Sequence, residues 1–131
     1  MKIDHIGIAV KNLEEGIASY EKFLGKKVDS IETVTDQKVM VAIFKLENVR
    51  IELLCPTEVG SNIDNFIQKR GEGVHHICMG VNDIAAEETR LKGLNVPLIY
   101  EKHQMGAEEC LVNFIHPKAL KGVLTEISQR T

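Results

Sequence analysis

The chain has no Trp and only two Tyr and four Phe, so it offers few rings on which bases could stack. It also has no basic block: sixteen Lys and Arg stand against nineteen Asp and Glu, for a net charge of −3. Both absences argue against nucleic acid as a partner. No apolar run reaches the length of a membrane span, and the first one is broken by Asp4 and His5, which leaves no secretory leader to read. Cys55, Cys78 and Cys110 form no CxxC pair, and an odd count suits a reducing compartment better than a disulfide framework. The expectation is a cytoplasmic protein without membrane partners.

What is present is enough for a core. At 131 residues and 44% hydrophobic content the chain fits one domain, or two tightly fused halves. The halves are visible as a repeat: IDHIGIAVKNLEE (3–15) aligns with VHHICMGVNDIAA (74–86), placing His5 on His76 and Asp4 on His75. Each strand is followed by a helix. Asn12 and Glu15 form a capping box ahead of Leu13, Ile17, Tyr20 and Leu24 at helical spacing, with Gly25 as the stop; Asn82 or Asp83 caps a shorter helix that ends near Gly93. Three strands follow in each copy, about 28–34, 39–46 and 49–54, then about 96–101, 110–115 and 122–128. The chain therefore reads as α+β, βαβββ written twice: module 1 about 1–55, a linker helix about 61–70 capped by Ser61, and module 2 about 74–131.

Side-chain alternation on the first strand of each copy separates two faces. Ile6, Ile8 and Val10 share one face, as do Ile77, Met79 and Val81, and these bulky faces should pack on the helices. The opposite faces carry His5 with Gly7 and Ala9, and His76 with Cys78 and Gly80, where small neighbours leave room above an imidazole. His75 falls on the helix side and is a rim or core residue. In the last strand of each copy, Glu52 and Glu126 interrupt apolar VRIEL and GVLTEIS, 74 positions apart against 71 for the histidines. A carboxylate inside such a strand needs a partner. Two imidazoles and two carboxylates from matched halves can converge on one divalent cation and leave coordination positions open, so His5, Glu52, His76 and Glu126 are the candidate ligands.

DHIGIAV, IELLCPT, SNIDNFIQKRGEGVHHI and NFIHPK followed by GVLTEI resemble the methylmalonyl-CoA epimerases of the vicinal oxygen chelate superfamily, in matching order over nearly the whole chain. The resemblance implies paired βαβββ modules in an open, U-shaped mixed sheet around a metal site. By position it places the ligands on the same four residues, with one divalent ion per chain (Co2+, Mn2+, Ni2+ or Zn2+), and it implies a homodimer. Two departures stand out. Val41 occupies the strand on which some relatives carry a further acid/base carboxylate, and Glu108 and Glu109 replace a neutral or basic turn, which weakens anionic phosphate contacts there.

The implied reaction interconverts (R)- and (S)-methylmalonyl-CoA, an acyl-CoA thioester, by removal of the α proton through a metal-stabilised enolate. Glu126 and Glu52 are the candidate acid/base pair, Glu126 being favoured. Asn113, Lys118 and Lys121 are candidate substrate contacts; the two lysines read first as solvated residues at an exposed turn and only second as phosphate contacts, and Asn113 either orients substrate or ends a strand. The alternatives are an isomerase of the glyoxalase I type, acting on a glutathione hemithioacetal, and a non-catalytic small-molecule-binding module of the same fold. A ring-cleaving dioxygenase would use two histidines and a single carboxylate on iron, which the fourth candidate ligand disfavours.

Overall fold

The computed structural model describes residues 1–130. The element order is β1 (Lys2–Ala9), α1 (Leu13–Leu24), β2 (Ser30–Val34), β3 (Val39–Lys45), β4 (Arg50–Pro56), α2 (Asn62–Arg70), β5 (Gly73–Gly80), α3 (Ile84–Gly93), β6 (Gln104–Met105), β7 (Leu111–Ile115) and β8 (Thr125–Gln129). This is βαβββ twice with a helix between. By its contacts the chain divides into two compact units, residues 6–75, and Met1–His5 with the chain from His76 onward.

In the unit of residues 6–75, α1 begins where the Asn12 side chain accepts from the Glu15 N–H at 2.9 Å and ends at Gly25, whose φ of 69° lies in the left-handed region. Its apolar stripe, Leu13, Ile17, Tyr20 and Leu24, packs on Val10, Ala42, Phe44 and Leu53. A Cβ on Gly16 would meet Val10 and Leu53 at 3.3 and 3.4 Å, so a larger residue would hold the helix off this core. β3 pairs antiparallel with β2 on one side and β4 on the other. Val41, Ala42, Ile43 and Phe44 are all buried, and a strand with both faces covered carries a continuous apolar run. Ser61 caps α2, which buries Ile63 and Ile67, and the ring of Phe66 meets His75 edge-on at 4.9 Å. His75 is thus a packing residue on the helix side.

In the other unit, β5 pairs parallel with β8, β8 antiparallel with β7, and β7 with the two-residue β6. Asp83 is the N-cap of α3, accepting from the Ala86 N–H at 3.0 Å. Ile84, Ile115 and Ile127 form the core, with Met79, Val81 and Leu91 against them.

The strand expected over 96–101 does not form; this stretch makes one bridge, Leu98 to Ile115, and the strand that follows is only Gln104–Met105. Pro97 has no N–H to give, and Asn95 enters the segment at a φ of 61°. Asn113 then intercepts the ladder, because its side chain accepts from the Tyr100 N–H and donates to the Tyr100 carbonyl, both at 3.1 Å. The last strand also starts later than expected, at Thr125. A 3₁₀ turn over Pro117–Leu120 closes through Lys121 and Gly122 at φ of 60° and 97°.

Candidate metal centre

Strand register assembles the centre. His76 and Cys78 share a face of β5, and parallel pairing sets Cys78 opposite Glu126 of β8. Antiparallel pairing sets Glu126 opposite Phe114 of β7, so these four side chains emerge on one face, while Met79 and Ile127 go to the helix side. His5 joins from β1. Its Nε2 lies 3.1 Å from His76 Nε2 and 2.9 Å from Glu126 Oε1, and His76 Nε2 lies 3.2 Å from the same oxygen. All three residues are buried, at 6%, 5% and 6% exposure.

This triangle fits a divalent cation. Oε1 of Glu126 is buried with neither ring N–H aligned on it as a hydrogen bond, although both rings crowd it. Three donor atoms about 3 Å apart are spaced as ligands at right angles around an ion with bonds of about 2.1 Å. Two imidazoles and a carboxylate also suit such an ion chemically. His5, His76 and Glu126 are therefore the residues on which the structure converges.

Burial by itself would raise the Glu126 carboxyl. The nearby His5 and His76 outweigh burial and hold it well below the usual carboxylate range. A carboxylate held in its ionised form beside two imidazoles is a ready ligand for a cation. Burial pushes the Cys78 thiol up to about 12, and its Sγ donates to Ser128 Oγ at 3.2 Å, so Cys78 lines the centre as a neutral, unreactive group. Behind His76 stands an aromatic series, Phe114 edge-on at 5.7 Å and Tyr100 edge-on to Phe114 at 6.0 Å.

Four further candidates remain. Glu52 is buried on β4 in the unit of residues 6–75, at 5% exposure and in register with Ile43. Asn113 is fully buried, and besides its Tyr100 bonds its Nδ2 donates to Glu88 Oε2 at 2.5 Å. It is committed to the interior and has no amide hydrogen left for a ligand. Lys118 and Lys121 are exposed on the turn after β7.

Two features were not anticipated from the sequence. Asp4 Oδ1 lies 2.7 Å from His5 Nδ1, a contact that strict alternation along β1 disguises. A hollow of about 750 Å³ opens on this side, lined in part by Lys2, Asp4, Asn82, Glu87, Ser128 and Arg130.

The family model of the glyoxalase/bleomycin resistance protein/dioxygenase superfamily matches residues 4–114. The chain belongs to this superfamily. It is 38% identical to the ethylmalonyl-CoA/methylmalonyl-CoA epimerase of Cereibacter sphaeroides, over 98% of this chain and 97% of that protein. Among solved structures, the methylmalonyl-CoA epimerase of Mycobacterium tuberculosis superposes with a TM-score of 0.95 at 34% identity, covering 99% of this chain and 88% of the other. A methylmalonyl-CoA epimerase in complex with methylmalonyl-CoA and NH4+ gives 0.96 at 32% identity, over 99% and 94% of the two chains. The fold is thus the α+β vicinal oxygen chelate fold that the superfamily shares.

Proposed function

We infer that this chain is a methylmalonyl-CoA epimerase that interconverts the (R) and (S) thioesters by moving the proton on the carbon between the carboxylate and the thioester. The observation that carries the reading is the buried His5–His76–Glu126 trio, in a chain 38% identical to an epimerase of that name over nearly its full length. A divalent cation held there, when bound, supplies Lewis acidity toward an enolising thioester oxygen. His5, His76 and Glu126 would hold it, with Glu52 as the fourth ligand by family position; Co2+, Mn2+, Ni2+ and Zn2+ all suit that donor set.

The protein's own groups then divide the work. The imidazoles of His5 and His76 contribute neutral donors, and Glu126 contributes the charge that keeps the ion in place. Epimerisation needs a proton removed from one side of a planar carbon and returned on the other. Glu126 and Glu52 are the two candidates for that transfer, and a carboxylate that holds the ion must leave it before it can take the proton. Phe114 and Cys78 wall the trio with groups that do not compete for the proton.

The enzyme is proposed to act as one domain over residues 1–131, as a homodimer and in the cytoplasm. No helix among the described residues is long and apolar enough to cross a membrane. The test is to incubate the metal-loaded protein with a single epimer of methylmalonyl-CoA in deuterated water. Epimerisation with solvent deuterium entering the α position is expected. Turnover of methylglyoxal plus glutathione, with the acyl-CoA left untouched, would assign the glyoxalase I reaction instead; binding of either compound without turnover would point to the non-catalytic module.

A further inference from the structure

The ring of His5 is held from behind. Its Nδ1, turned away from the trio, lies 2.7 Å from Oδ1 of Asp4, which is 8% exposed. Arg130 grips that carboxylate from the other side: Nε donates to Oδ2 at 3.0 Å and Nη2 to Oδ1 at 2.9 Å. Two parallel bonds from a planar guanidinium leave the carboxylate one orientation. Arg130 is itself anchored, since Nη1 donates to Glu108 Oε1 at 3.1 Å, on a turn where Glu108 and Glu109 hold φ of 55° and 58°. The four side chains form a line from that turn to the imidazole.

An ionised carboxylate can only accept. In the neutral ring, Asp4 therefore places the hydrogen on Nδ1 and leaves the Nε2 lone pair facing His76 and Glu126. Asp4 also fixes the ring plane, because a short bond at Nδ1 resists rotation that would carry Nε2 off the trio. The repeat does not supply this device twice: the residue matching Asp4 is His75, which packs on Phe66.

We propose that Asp4, clamped by Arg130, is the positioning residue of the centre: it sets the tautomer and orientation in which His5 offers Nε2 to the metal ion. This rests on the divalent-cation reading of the trio.

The test compares wild type, Asp4→Asn and Asp4→Ala, stripped with chelator and titrated with Zn2+ against a competing metal indicator. His5 Nδ1–H is followed by ¹⁵N-resolved NMR in the zinc-loaded form. Asp4→Ala should bind Zn2+ about 10- to 100-fold more weakly, the usual effect of removing a group that orients a ligand. Asp4→Asn should fall between, because its amide oxygen still accepts from Nδ1–H. The His5 Nδ1–H signal should be downfield and protected in wild type, shifted in Asp4→Asn and lost to exchange in Asp4→Ala. A purely structural Asp4 would lower the unfolding midpoint and leave zinc affinity untouched, and that result overturns the proposal. So does a wild-type His5 bound through Nδ1. If Asp4→Ala does not fold, Asp4→Asn and the wild-type resonance still decide. A wild type that binds no zinc overturns the metal reading as well, whereas normal wild-type binding with an unaltered Asp4→Ala overturns this inference alone.

Discussion

The two βαβββ runs share an order of elements and differ in what lies under their helices. Beneath α1 lies an apolar cluster: Val10, Ala42, Phe44 and Leu53 receive a stripe of Leu, Ile and Tyr. Beneath α3 a carboxylate is buried. Glu88 is 6% exposed and is bonded by His103 Nδ1 at 2.7 Å and by Asn113 Nδ2 at 2.5 Å. The first run can be stabilised by area removed from water, whereas the second must keep every polar atom of a network satisfied. That requirement also shapes its backbone, because the Asn113 amide that serves Glu88 takes the Tyr100 bonds a strand would have made. A duplicated fold can thus keep its topology while one copy exchanges a strand for a polar network.

The same asymmetry applies to the two glutamates, and it gives the largest expected effect. Glu126→Gln should lower turnover by about 10²- to 10⁴-fold. With Glu126 as ligand, the lost turnover tracks lost metal. With Glu52 as the opposite-side proton carrier, Glu52→Gln blocks epimerisation while Glu126 still exchanges the α hydrogen of one epimer with deuterated solvent; with Glu52 as ligand alone, exchange and epimerisation fall together as metal affinity is lost. Equal metal loss in both variants would remove the division of labour between them.

Next come the cores. Phe44 is fully buried, and Phe44→Ala should cost about 3–5 kcal/mol in urea unfolding, as large-to-small changes in packed cores do. Asn113→Ala should cost about 1–3 kcal/mol, because it strips a partner from Glu88 and both backbone bonds from Tyr100. The second loss should be local, with faster amide exchange over 95–105 and little change in α1. If Phe44→Ala and Asn113→Ala loosen the same amides, the contrast between the two interiors is wrong.

Acid should find the polar interior too. Burial pushes the Glu88 carboxyl up, but the bonds from His103 and Asn113 prevail and hold it below its ordinary value of 4.5. A carboxyl depressed on folding stabilises fully above its unfolded pKa, and the contribution fades as pH falls through the folded value. Glu88→Gln should therefore cost stability near neutrality and show a shallower decline below about pH 4.5 than wild type. Parallel declines in the two chains would clear Glu88 of any part in acid sensitivity.

Much of this was legible in the residues. Period-two alternation on β1 and β5 put His5 and His76 on the small-residue face, and Glu126 stood out as a lone charge in an apolar strand. The features that escaped reading depend on side chains meeting across the chain. Val96, Leu98 and Tyr100 alternate as a strand should, yet the amide that displaces the ladder comes from Asn113. Asp4 adjoins His5, and alternation sends neighbours to opposite faces, so nothing local announces their bond; Arg130, which clamps Asp4, is 126 positions away.

The smallest effect concerns how the two helices stop. α1 ends on Gly25 at φ 69°, while α3 ends at Leu94 and hands the left-handed position to Asn95 at φ 61°. Space is not the issue at Gly25, where a Cβ would meet nothing within 4 Å; the cost of Ala there is backbone strain alone, about 1 kcal/mol. Asn tolerates the left-handed region better than Ala, because its short side chain can bond locally, but less freely than Gly. Asn95→Gly should accordingly change the unfolding free energy from urea titration by about a few tenths of a kcal/mol at most, the relieved strain being offset by the greater freedom of Gly in the unfolded chain. A loss near 1 kcal/mol in Asn95→Gly would mean that the Asn95 side chain itself caps α3, and the two helix ends would then differ in mechanism as well as in residue.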